Sequence, residues 1–215
     1  MSSDPSDPST IISSYLATLH AALDGIDHNS LLFMSSSLDR LRRKKGSVFI
    51  AGNGGSAANA SHLTCHLMDV GISTISLVDC TPLMTAWSND YGYDDYLSRA
   101  IPGMARRGDM VILISGSGNS RNVIEAYYAC RKSRIQCWML LGQKGGVVKQ
   151  LLHKSPSPLI HFLLVPDAAY GPTEDMHSAI IHILRDLLDP LKHHPSTIHV
   201  PLEHDERWVY DAAAN

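Results

Sequence analysis

Met110-Val111-Ile112-Leu113-Ile114 runs without a break into Ser115-Gly116-Ser117-Gly118-Asn119-Ser120. Five consecutive apolar residues, with no polar alternation, predict a strand buried on both faces. The hydroxyl- and glycine-rich turn sits directly on that strand and leads into a helical pattern from Asn119 to about Ser133. Upstream, Val48-Phe49-Ile50-Ala51 ends in Gly52 and predicts another strand, followed by a helix from Ser56 to about Val70. Thr74 to Val78 reads as a strand, and Pro82 to about Arg106 as a helical region. Downstream come a strand at Cys137 to Leu141, a short helix at Val147 to His153 and a strand at Leu159 to Val165. Pro172 opens a last helix reaching Asp189, and Pro190 and Pro195 end it. Strands alternating with helices predict an α/β fold, a doubly wound five-stranded parallel sheet with right-handed crossovers. Ligands of such sheets bind beyond the carboxyl ends of the strands, here after Ala51, Val78, Ile114 and Val165.

The N-terminal part differs in texture. After a polar lead, Ile11 to Leu41 is helical, interrupted at Gly25 and at Asp27 to Ser30. Ile12, Leu16, Leu19, Leu23 and Ile26 share one face. That face either covers the chain's own core or forms a helix–helix seam between copies. Three segments result: residues 1–45, a helical oligomerisation segment; 46–190, the α/β domain; and 191–215, a tail whose Trp208 and Tyr210 are expected to dock on a neighbour.

Charge and length narrow the function. The 215-residue chain has a net charge of −3, without the basic footprint of a nucleic-acid binder. No apolar run approaches the roughly 18 residues that cross a bilayer. The first residues lack the pattern of a secretory signal, so the expectation is a cytoplasmic protein. Cys65, Cys80, Cys130 and Cys137 contain no C-x-x-C pair; three of the four sit in apolar surroundings, and the set reads as reduced thiols packed as small hydrophobes rather than a disulfide framework or thiolate zinc site. Twelve histidines are many for this length, although His193, His194, His199 and His204 fall in the tail.

Two strand-end loops suit an anion. Gly52-Asn53-Gly54-Gly55-Ser56-Ala57-Ala58 offers backbone N–H groups at the start of a helix. It is neither a dinucleotide fingerprint, which needs glycine at Ala57, nor a P-loop, which needs G-K-[ST]. The hydroxyls of Ser115, Ser117 and Ser120 can ring a phosphate without a lysine. A tight turn that binds nothing is the alternative for the first loop, a Gly/Ser linker for the second. Asp79, at the end of the second strand, suits either a sugar hydroxyl or a simple turn.

In order and spacing these motifs, with His62, Asn89-Asp90-Tyr91-Gly92-Tyr93, Gly108-Asp109, Asn122-Val123, Glu174-Asp175-Met176-His177 and His182, resemble the sugar isomerase (SIS) domain family and its phosphoheptose isomerase branch. The resemblance spans about Ile11 to Asp189. It implies a flavodoxin-like sheet and a homotetramer built partly by the N-terminal helices. It also implies a phosphorylated seven-carbon sugar held by Ser115, Ser117 and Ser120, with Asn53, Gly54, Ser56 and Asp90 contributing. The implied reaction converts sedoheptulose 7-phosphate to a heptose 7-phosphate through an enediol, at sites between subunits.

The chain departs from the branch at two positions. A glutamate treated as the proton-abstracting base is usual where His66 stands, and glutamine is usual at Glu174; His182 is kept. Some members bind zinc through the four matching positions, which here are His62, His66, Glu174 and His182. His62 and His66, four residues apart on one helix, share a face, a common metal-holding arrangement. Three imidazoles and a carboxylate suit tetrahedral zinc, with other divalent metals as alternatives. Aldose–ketose isomerisation needs a base, an acid and stabilisation of enediolate charge. His66 or Glu174 would be the base and His182 its partner; Asp90, Asp175 and His177 are bystander candidates. A group that ligates zinc is less free to carry protons, and this conflict stands at the level of sequence. The competing expectation is a non-catalytic phosphosugar- or protein-binding regulator, favoured by the glutamate missing at position 66.

Overall fold

The computed structural model describes residues 7–166 and 169–189. The expected docking of Trp208 and Tyr210 and the four tail histidines lie outside the described residues.

Two helices, α1 (Pro8–Asp24) and α2 (His28–Arg43), precede β1 (Ser47–Gly52). Then follow α3 (Gly55–Asp69), β2 (Ser73–Ser76), α4 (Thr81–Tyr91), α5 (Tyr96–Met104) and β3 (Met110–Ser115). The chain closes with α6 (Arg121–Ser133), β4 (Gln136–Leu141), α7 (Gly146–Lys154), β5 (Ile160–Leu164) and α8 (Tyr170–Leu188). The strands form one parallel sheet in the order β2-β1-β3-β4-β5. The order reverses between β1 and β3, which makes their carboxyl ends the switch point where a ligand crevice opens.

Alternating side chains divide the core in two, as expected for a sheet covered on both faces. Ile50, Ile112, Ile114 and Leu140 pack with residues of α2, α3 and α8. Phe49, Val111, Leu113 and Met139 pack on the other face with residues of α5, α6 and α7. All six residues of β3 are buried. Gly52 lies beside Ile114 in the register, so the two candidate anion loops leave the sheet side by side. Asp109 fastens the other end of these strands by accepting from the backbone N–H groups of Ser47 and Arg106, each at 2.8 Å.

Four expectations change. The helical region from Pro82 to Arg106 is two helices, broken at Gly92, whose φ of +90° belongs to glycine. The second strand ends at Ser76 rather than Val78, as suits a short edge strand. The last helix begins at Tyr170, before Pro172, which occupies its first turn, where no intrahelical N–H bond is lost. Only Cys130 and Cys137 are buried; Cys65 and Cys80 are free and exposed. Among the described residues no helix is long and apolar enough to cross a membrane.

Candidate active site

At the switch point lies a cavity of about 90 Å³. Ser115, Ser117 and Ser120 line one side, and Asn53 and Ser56 the other. Tyr170 and Glu174 of α8 complete it. The serine loop is folded on its own hydroxyls: Ser115 Oγ accepts from Gly118 N–H and Ser117 Oγ from Asn119 N–H, both at 3.1 Å. Ser120 is the N-cap of α6 and makes no side-chain capping bond, leaving its hydroxyl to the cavity. Gly54, the N-cap of α3 at φ +56°, shapes the first loop without lining the cavity.

α3 and α8 run side by side, each descending from the carboxyl edge of the sheet. The Glu174 carboxylate lies over Gly55, its atoms 2.3–2.5 Å from where a β-carbon would stand, so only glycine leaves it room. Asn59 Nδ2 donates to the Glu174 carbonyl at 3.0 Å and fixes that turn.

Further along the same helices the imidazoles of His62, His66 and His182 converge. Ring centroids are 4.5, 4.9 and 5.0 Å apart, and the His62 and His66 Nε2 atoms are 2.9 Å apart. One nitrogen from each ring lies within 4.8 Å of the others. Tetrahedral zinc with nitrogen donors at 2.0–2.1 Å needs them about 3.3 Å from one another, which small movements reach. The buried Nδ1 of His66 has no hydrogen-bond partner. Burial, then the field of His182, lowers the pKa of His62; burial, then His62 and His182, lowers that of His66. Both rings therefore keep free lone pairs below the usual histidine range, and the set fits a divalent metal.

The structure thus brings together three of the four expected metal ligands. Glu174, eight residues and about 12 Å of helix from His182, is not in that group; it stands with the serines. Asp90 is exposed at the end of α4, takes a bond from Asn89 at 3.0 Å and does not line the cavity. Asp79 accepts from Ser61 Oγ at 2.7 Å, tying the loop after β2 to α3. Asp175 accepts from Tyr15 Oη at 2.5 Å, and His177 is fully buried. Sequence reasoning missed Tyr170, although an aromatic residue two positions before Pro172 marks the mouth of the last helix.

A 2-1-3-4-5 sheet with a hydroxyl-lined cavity at its switch point is a flavodoxin-like ligand-binding domain. The SIS domain family matches residues 14–137. Phosphoheptose isomerase of Sulfurimonas denitrificans is 35% identical over 155 residues, 69% of this chain and 76% of that protein. The Geobacter sulfurreducens phosphoheptose isomerase is 35% identical over 148 residues, 66% of this chain and 75% of its own. The solved phosphoheptose isomerase GmhA of Neisseria gonorrhoeae superposes with a TM-score of 0.76 at 28% identity, covering 84% of this chain and 97% of that one. The chain belongs to the SIS domain family, in its phosphoheptose isomerase branch.

Proposed function

We propose that this protein is an aldose–ketose isomerase that converts sedoheptulose 7-phosphate to a heptose 7-phosphate through an enediol. Ser115, Ser117 and Ser120 take the phosphoryl group, with Ser56 and Asn53 beside it. Glu174 is the base that moves the proton between C1 and C2. The observation that carries this reading is the Glu174 carboxylate on the wall of the same cavity as the serines. His62, His66 and His182 would hold the metal, zinc by the chemistry of the donors. That ion would supply Lewis-acid polarisation of the carbonyl and enediolate oxygens. The division removes the conflict between ligand and proton carrier: Glu174 keeps the proton work, and His66 and His182 serve as ligands. Asp90 has no part in this assignment.

The exposed apolar face of α1 and α2 supports assembly of copies into a homo-oligomer, a tetramer by family likeness. A phosphorylated substrate, which does not cross membranes unaided, suits a cytoplasmic enzyme.

The test is incubation with sedoheptulose 7-phosphate in deuterated water, with and without chelator. Solvent deuterium is expected at C1 or C2 with the metal-loaded protein, and little after chelation. No incorporation by the metal-loaded protein would favour a phosphosugar-binding regulator, the reading that His66 in place of glutamate supports. Metal content of His62→Ala beside the unaltered protein tests the ion separately; equal zinc in both would remove His62 as a ligand.

A further inference from the structure

Asn53 brings a carboxamide to the cavity wall, and a carboxamide can show a ligand either its oxygen or its NH₂ group. The choice is made outside the cavity. Asn53 and Asn122 pair reciprocally, each Nδ2 donating to the other's Oδ1 at 2.8 Å. Tyr93 Oη also donates to Asn53 Oδ1, at 2.8 Å. Both lone pairs of that oxygen are thereby used, and the second N–H of Asn53 Nδ2 is what remains for a ligand.

The amide pair alone would not fix this orientation. Turning both amides together preserves both bonds, so a reciprocal pair is indifferent to its own reversal. Tyr93 breaks the symmetry, because a phenol is a better donor than acceptor and selects the state that turns oxygen toward it. Tyr93 is itself held in place. Gly92 turns the chain into it, and its ring packs 5.2 Å from the fully buried Tyr96. Asp94, next in the chain, pairs at 3.5 Å with Arg121 on α6, the helix that carries Asn122. Asn122 is 2% exposed, so its amide has no water to replace its partner.

We propose that Tyr93 and Asn122 are positioning residues that lock Asn53 as a hydrogen-bond donor toward the cavity. The subsite beside it then accepts ligand groups with free lone pairs, a phosphoryl oxygen first, and rejects a group that can only donate, such as a protonated amine. The inference rests on the phosphosugar reading for its ligand.

Tyr93→Phe removes the hydroxyl and keeps the ring on Tyr96. Calorimetric titration with inorganic phosphate and with sedoheptulose 7-phosphate is expected to show Kd raised about five- to tenfold for both, the worth of one hydrogen bond. KM should rise by the same factor, with kcat within about twofold and the thermal midpoint unchanged. Asn122→Asp, which takes a donor away from Asn53 Oδ1, should move Kd in the same direction. Binding by Tyr93→Phe equal to that of the unaltered protein, or a fall in kcat at unchanged KM, would overturn the lock alone. Failure of the unaltered protein to bind either ligand would overturn both the lock and the phosphosugar reading. Binding without turnover would remove only the isomerase reading, and the ratio of Kd values would still decide the lock.

Discussion

Glu174 puts a negative charge into a cavity whose other polar side chains are hydroxyls, one carboxamide and one phenol, with no lysine or arginine in its wall among the described residues. A phosphoryl dianion beside it meets a repulsion of about 2–8 kcal/mol over some 4 Å, depending on how much water remains. A base is worth that cost only if its charge is needed for proton transfer. Glu174→Gln should therefore separate the two duties. Inorganic phosphate should bind at least about tenfold more tightly by calorimetry, while deuterium exchange into the sugar falls to background. Weaker phosphate binding by this variant would mean that the carboxylate supports the anion rather than opposing it. One turn further along α8, His177 has its pKa pushed down to about 4 by burial, with the Leu141 backbone acting weakly the other way. Between its ordinary value near 6.5 and about 4, the unfolded chain takes a proton that the folded one refuses. The stability His177 permits is thus complete above pH 6.5 and drains as pH falls toward 4, by about 3 kcal/mol in all. Urea melts at pH 7 and pH 4.5 should show a smaller loss for His177→Leu than for the unaltered chain; equal losses would assign the acid sensitivity to other groups.

At the scale of elements, the site depends on α3 and α8 staying side by side, and a single side chain from α2 fastens both. Arg42 Nη1 donates to the carbonyls of Val70 and Leu188, each at 3.0 Å, at the C-terminal ends of the two helices. A cation there also faces the negative ends of both helix dipoles. Its side chain is 25% exposed, so water replaces these bonds only in part. Arg42→Ala should cost about 2–3 kcal/mol in urea unfolding, and Arg42→Lys, which cannot span both carbonyls, should recover less than half; a cost under about 0.5 kcal/mol would show that the helices hold each other without it. Elements were legible in the sequence where one physical signal dominated. The apolar runs at Val48 to Ala51, Met110 to Ile114 and Cys137 to Leu141 give strands within a residue or two, because burial on both faces leaves no polar alternation to mislead. The break at Gly92 carried a local signal, a glycine among Asn, Asp and Tyr, but one such glycine can also sit inside a continuous helix, so its spacing alone did not decide the break. In the site, His62 and His66 could be paired from their spacing, and the serine loop from its place on a buried strand. The seat of Glu174 could not, because it depends on Gly55 leaving room across a helix pair. Nor could the pairing of Asn53 with Asn122, 69 residues on, which follows from β1 and β3 being neighbours.

At the scale of the whole molecule, the described residues leave several large apolar side chains of α1 uncovered. Of its residues only Ala22 is buried, while Ile11, Ile12 and Leu16 are more than half exposed. Leu19 and Ile26 reach the core that α2, α3 and α8 share, so the apolar face of α1 is divided between inward packing and an outward stripe. The stripe continues over Leu23, Leu32 and Ile183, where α1, α2 and α8 frame an apolar groove of about 290 Å³. A continuous apolar surface of this kind is what a second copy would bury. Assembly would also bear on chemistry. Tyr15, on the same helix, donates to Asp175 at 2.5 Å and lies against Gly171, one residue from each of the cavity-lining Tyr170 and Glu174. Holding α1 in place therefore steadies the first turns of α8. In sedimentation velocity the protein should run heavier than its 23.5 kDa chain. The double variant Ile12→Asp, Leu16→Asp, both substitutions on solvent-facing positions, should sediment as a monomer with unchanged helical circular dichroism. Its kcat for the phosphosugar should fall at least about tenfold, because a mistuned turn misplaces the base by more than proton transfer tolerates. A monomeric variant with full activity would separate assembly from the site, and an unaltered protein that is itself a monomer would leave the stripe without the partner argued for it.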